Sequence, residues 1–170
     1  FNEENTEYVG LFGYNSGTIK NVGIVDSYFK GKRHVGAVCG DNDGTITNSY
    51  NTGTINGSLI DIGGICGWNR KEKENLGSII NCYNTGTVNA NGDVGGNGNG
   101  RVGGICGIND SGTIENSYNT GAVNSYNTTA STDFGVGGIC GKNYKGTIEN
   151  SYSTGSVSGS NDYVGGVCGY

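Results

Sequence analysis

Val102–Gly107 reads VGGICG and Gly112–Gly121 reads GTIENSYNTG, and both phrases return along the chain. The first recurs unchanged at Val136–Gly141, as IGGICG at Ile62–Gly67, as VGGVCG at Val164–Gly169 and as VGAVCG at Val35–Gly40. The second recurs as GTITNSYNTG at Gly44–Gly53, GSIINCYNTG at Gly77–Gly86 and GTIENSYSTG at Gly146–Gly155. A degenerate copy, GTIKNVGIVD, stands at Gly17–Asp26. Phe12 to Cys39 and Cys39 to Cys66 are both 27 residues apart, and Cys140 to Cys168 is 28. A fixed period of this length marks a stacked repeat architecture.

Each unit divides into three extended pieces separated by Gly and Asn: VGGICG, then GTIEN with its continuation, then TGTVN or TGSVS. The pieces are rich in β-branched residues and too short and glycine-broken for helices. Gly-Thr and Asn-Gly junctions supply the positive φ angles of sharp corners. The expectation is an all-β parallel β-helix (β-solenoid) of about 27 residues and three short strands per coil. It has five coils and a partial sixth, in one domain over residues 1–170. The repeats run about 8–34, 35–61, 62–101, 102–135 and 136–163, with a partial copy at 164–170. Coils stacked at the ~4.8 Å strand spacing would rise roughly 25 Å.

Stacking turns equivalent positions into columns. Ile19, Ile46, Ile79, Ile114 and Ile148 read as interior. Asn21, Asn48, Asn81, Asn116 and Asn150 follow, expected to form an amide ladder at a buried corner. Tyr50, Tyr83, Tyr118 and Tyr152 can stack ring on ring, facing in or out. Five of the six cysteines, Cys39, Cys66, Cys106, Cys140 and Cys168, share one slot. A line of thiols one coil apart is not a zinc tetrahedron, and no CxxC pair occurs. Adjacent coils approach disulfide distance, but five in a column cannot all pair. A packed ladder of free thiols is the expected reading, supported by Phe12 in the same slot and by Cys82 replacing the Ser of Ser49, Ser117 and Ser151.

GLFG at Gly10–Gly13, followed by YNSGTI, together with the recurring phrases above, resembles the GLUG motif, whose repeats read like VGGLVG-x-N-x-GTI-x-N-x-Y-x-TG-x-V. The resemblance extends over nearly the whole chain. It implies a β-helical, secreted, non-catalytic module of the kind carried by bacterial surface proteins. Many of those are adhesin-like, and some carry an immunoglobulin A metallopeptidase domain. Cys in the usual Val slot is the departure here.

Composition bounds the rest. The chain has 170 residues, 35 of them Gly, with no Pro or Met, and 10 basic against 15 acidic side chains for a net charge of −5. The acidic balance argues against nucleic acid or an anionic membrane as partner, and no apolar run is long enough to insert into a bilayer. A chain opening at Phe1 and stopping within a repeat reads as a piece of a longer protein. His34, the only histidine, reads as an exposed loop residue, and HExxH is absent. Glu115 and Glu149 occupy a variable exterior position rather than an acid–base pair. No catalytic residue, metal ligand or cofactor site is expected.

Insertions carry the expected binding function, since solenoids hang loops from a constant frame. Asn69–Leu76 lengthens one corner of the third repeat; Ala90–Arg101 and Asn124–Phe134 lengthen equivalent corners of consecutive coils and should lie side by side. Trp68, Arg70, Lys71, Asn97, Arg101 and Tyr126 are the candidate ligand-binding residues, with Trp68 either stacking on a ligand or covering its loop. The expected role is structural display and adhesion outside the cell or at its surface, with a glycan or a protein from a host or the environment as partner. A filament subunit associating through the solenoid ends is the alternative, and a glycan-active β-helix enzyme the third reading.

Overall fold

Glycine and asparagine corners with short β-branched runs between them give a stacking coil. The structure, a computed structural model, describes residues 5–91, 100–126, 134–160 and 163–170. The Cys phrase forms Phe12–Asn15, Cys39–Asn42, Cys66–Glu72, Cys106–Asp110 and Cys140–Tyr144 in successive coils. The Ile phrase forms Thr18–Lys20, Thr45–Thr47, Ser78–Ile80, Thr113–Glu115 and Thr147–Glu149. Equivalent strands pair in parallel and in register: Cys66 lies opposite Cys39 and Cys106, Ile79 opposite Ile46 and Ile114, and Tyr83 opposite Tyr50 and Tyr118. The chain is a parallel β-helix.

The coil has more sides than three strands would give. The second phrase splits at Asn21, Asn48, Asn81, Asn116 and Asn150, whose φ angles lie between 47° and 57°. Asn enters the left-handed region at lower cost than most residues, so a strand can end there and turn. Conversely, the third phrase of one unit continues into the first phrase of the next, as Tyr28–Val35 and Thr54–Gly63. Among the described residues the strands make one nine-stranded, one six-stranded and two five-stranded sheets. At Gly53, Gly86, Gly121 and Gly155 any Cβ would meet backbone one coil earlier, so this corner accepts only glycine.

The core is columnar. Ile46, Ile79 and Ile114, then Ile55, Val88 and Val123, then Ile65, Ile105 and Ile139 are fully buried. Each contributes about 1.5–3 kcal/mol relative to an exposed position. Cys39, Cys66, Cys106 and Cys140 are buried free thiols and Cys168 is half-buried. Each Sγ donates to the carbonyl two residues on, as from Cys39 to Asp41 at 3.0 Å and from Cys106 to Ile108 at 3.0 Å. Phe12 keeps the register with Cys39 but is 41% exposed, so it closes the end of the column rather than filling a core slot.

The asparagines at the left-handed corner are corrected in one respect. Asn48, Asn81, Asn116 and Asn150 are exposed, and among the described residues one rung is joined, Asn81 to Asn48 at 3.2 Å. The buried amide ladders run through other columns. Asn15, Asn42, Asn69, Asn109 and Asn143 are linked at 2.7–2.8 Å per rung. Asn51, Asn84 and Asn119 are linked at 2.8 Å. Each of these amides also turns its own corner, as Asn84 does by donating to the Gly86 carbonyl at 2.8 Å. Buried amides bonded both along the stack and to the local turn leave few polar groups unpaired.

Candidate binding surface

The residue before each VGG phrase sits on a corner facing the Cys strands. Tyr8, His34 and Asp61 take this place in three successive coils, all with left-handed backbone, φ 59°, 48° and 57°. Arg101 follows them in the fourth coil. A Cβ on Gly67 would meet the His34 backbone and one on Gly107 the Asp61 backbone. The last glycine of VGGICG therefore lets this column press against the Cys strands.

The column is a network of charge and stacked rings. His34 Nδ1 lies 2.9 Å from Asp61 Oδ2, and Arg101 Nε lies 2.6 Å from Asp61 Oδ1. The His34 ring stacks between Tyr8 at 4.8 Å and Trp68 at 5.1 Å. Beside it, Arg70 Nε reaches both oxygens of Asp41, at 2.8 and 3.1 Å, and its guanidinium lies 4.8 Å from the Trp68 ring centre. Arg70 also meets Glu72 at 2.7 Å. Burial pushes the Asp41 carboxyl up despite Arg70. The hydrogen bond to the Asp43 carboxylate pushes the Tyr14 phenol up to about 12. His34 is buried, not a loop residue at the surface, because Trp68 of the next coil packs over its ring.

The candidate residues separate into two groups. Trp68 and Arg70 come together, and Arg101 joins them through Asp61 and His34. Trp68 is half-buried, its ring already in contact with His34 and Arg70. Lys71 is exposed on a hairpin in which Cys66–Glu72 pairs antiparallel with Asn75–Leu76, turning at Lys73 with φ 55°. Tyr126 is 62% exposed, and its N–H donates to the Ala90 carbonyl at 2.9 Å. Ala90 and Ser125 are register partners, which sets the flanks of the two later insertions side by side. Asn97 lies outside the described residues.

A polar column on the nine-stranded sheet went unread in the sequence. Lys30, Asn56, Asn89, Asn124 and Ser158 are register equivalents. Their side chains bond from rung to rung at 3.1, 3.0 and 2.9 Å from Asn56 onward. The recurring pairs Ile55-Asn56, Val88-Asn89 and Val123-Asn124 were the available signal. Near its start a groove of about 400 Å³ opens between Tyr28, Lys30, Asn56, Ser58 and Asn91. Among the described residues, no group of three His, Cys, Asp or Glu side chains is arranged to hold a metal ion.

Among known protein families, the GLUG motif matches residues 58–89, 98–124 and 132–158, roughly half of the chain. No curated protein and no solved structure matches.

Proposed function

Because the chain belongs to the GLUG-motif family, we propose that it is a non-catalytic display module of an extracellular or cell-surface protein, holding adhesive side chains on a rigid solenoid. The observation that carries this reading is the contrast between columns. Interior positions repeat Ile, Val, Cys or Asn from coil to coil, whereas the column Tyr14, Asp41, Trp68, Ile108 and Lys142 changes chemistry at every step. Of that column Tyr14 is exposed, Trp68 and Lys142 are half-buried and Asp41 and Ile108 are buried; a constant frame whose reachable residues vary from coil to coil suits recognition rather than turnover. The partner is a glycan or protein met on the outer faces, where Lys71 and Tyr126 stand exposed.

Retention of the chain on immobilised glycans and mucins tests the proposal, with the Lys71→Ala/Tyr126→Ala double variant expected to lose at least about tenfold in affinity. Measurable turnover of any polysaccharide, or retention on none of them, would overturn it. End-to-end association is a second reading, favoured by exposed apolar side chains on the end coils: Leu11 and Phe12 on one, Val164 and Val167 on the other. Concentration-dependent fibres under the electron microscope, lost on changing Phe12 to Lys, would support that reading; a monomer at all concentrations would discard it.

A further inference from the structure

The insertion Asn69–Leu76 does more than lengthen a corner: its tip closes a pocket against the two coils before it. Thr18 and Thr45 are register partners, and the residues ahead of them, Ser16-Gly17 and Asp43-Gly44, make the same corner in coils one and two. In the third coil Ser78 is the register partner of Thr45, and the insertion takes the place of that corner. Turning at Lys73, it brings Glu74 and Asn75 beside Ser16, Thr18, Asp43 and Thr45, around a space of about 310 Å³.

Asp43 is the unusual member of this lining. It is only 2% exposed, and its Oδ2 accepts the Tyr14 hydroxyl at 2.7 Å. Its Oδ1 is buried and has no hydrogen-bond partner among the described residues. No basic side chain among them pairs with it either: Arg70, the guanidinium of this corner, is taken by Asp41 and Glu72. Glu74, on the hairpin side, is exposed and likewise has no ion pair among the described residues. A buried carboxylate oxygen without a partner costs more than a neutral group in the same place.

The lining is all oxygen and amide, and none of its described residues offers sulfur or imidazole. That is the donor set of a hard cation. Two carboxylates from different coils, with hydroxyls and carbonyls between them, suit Ca²⁺, which takes about six to eight oxygens, waters included, in a flexible shell. Mg²⁺ demands a near-ideal octahedron and suits such a set poorly. We propose that this pocket is a calcium site, with Asp43 and Glu74 as the charged ligands and Ser16, Thr18 and Thr45 supplying neutral oxygens. The bound ion ties the hairpin that carries Lys71 to the frame of the first two coils. The proposal goes beyond the display reading and does not depend on it.

Calorimetric titration of the EDTA-stripped chain with calcium chloride tests it. One ion per chain should bind with a Kd of about 0.1–1 mM, and Mg²⁺ at least about tenfold more weakly. Glu74→Gln, at an exposed position, and Asp43→Asn, which keeps an acceptor for Tyr14, should each weaken calcium at least about tenfold. Calcium at about ten times its Kd should raise the urea midpoint of the parent and leave that of Glu74→Gln where it was. Glu149→Gln, at an exposed carboxylate of the fifth coil, should bind as the parent does. No binding at millimolar calcium, equal affinity for Mg²⁺, or unchanged affinity in either ligand variant would overturn the site. Weakening of the same size by Glu149→Gln would show an adventitious ion only, and if Asp43→Asn fails to fold, Glu74→Gln decides alone.

Discussion

Asparagine does two jobs in this chain, and position alone separates them. Asn48 is exposed and left-handed, so its value lies in backbone conformation. Asn84 is fully buried, donates to Asn119 at 2.8 Å and to the Gly86 carbonyl, and accepts from Asn51. Changing Asn84 to Ala strands donors and acceptors in two neighbouring coils and is expected to cost about 2–4 kcal/mol in urea denaturation. Asn48→Gly should stay within about 1 kcal/mol of the parent, because glycine enters the left-handed region freely. Equal costs at the two positions would show that the buried ladder adds nothing beyond turn geometry. Asp61 is the residue on which charge depends most, since it meets both His34 and Arg101 while itself buried. Asp61→Asn removes the buried carboxylate that both His34 and Arg101 meet and should lower stability by about 3–5 kcal/mol, read as an earlier urea midpoint with little change in slope.

At the scale of strands and ladders, three buried cysteines, Cys66, Cys140 and Cys82, behave as protonated donors, whereas burial of Cys106 is outweighed by its hydrogen bonds with Cys140 and Cys66, which pull that thiol down. Burial pushes the Cys66 and Cys140 thiols well up and the Cys82 thiol to about 11, from an unfolded value of 9.0. A raised pKa in the folded chain favours the protonated form there, so this stability is complete below pH 9.0 and is lost as pH climbs through the folded values, which for Cys82 means about 11. The urea midpoint should therefore fall between about pH 9 and 11, and replacing Cys82 with the Ser of its column should flatten that fall. At neutral pH a thiol reagent should find the half-buried Cys168 first and all six cysteines only in denaturant; fewer than six would mean that some are bonded. The column, its spacing and its parallel register were legible because every coil repeats them. The division of one phrase into two strands was not, because Asn48 can sit in an extended run or in a left-handed corner with the same neighbours. His34 was misread for a related reason: its burial comes from Trp68, 34 residues later and one coil away. The available signal for the buried ladders was the N-x-G pair, as in Asn42-Asp43-Gly44 and Asn84-Thr85-Gly86, since an Asn side chain bonding its own backbone two residues on is a turn signature.

Over the whole molecule each coil touches only its neighbours, so stability should be distributed as in a one-dimensional stack. The two ends differ. In the first coil Ile19 is 6% exposed, whereas in the fifth Ile148 is only partly buried and its strand alternates between exposed and half-buried positions. The strands Tyr152–Ser153 and Val157–Gly159 share that exposure, while their counterparts Tyr118–Asn119 and Val123–Ser125 one coil earlier carry fully buried residues. A coil covered on one face loses about half of its stacking burial and has less to hold it closed. Opening should therefore begin at the fifth coil and move inward. Hydrogen exchange measures this directly: the Ile148 amide should exchange at least about tenfold faster than those of Ile79 and Ile114, a gap of about 1.4 kcal/mol or more in local stability. If the fifth coil were as protected as the third, the stack would be opening as one cooperative unit, and the nearest-neighbour account of its stability would be wrong.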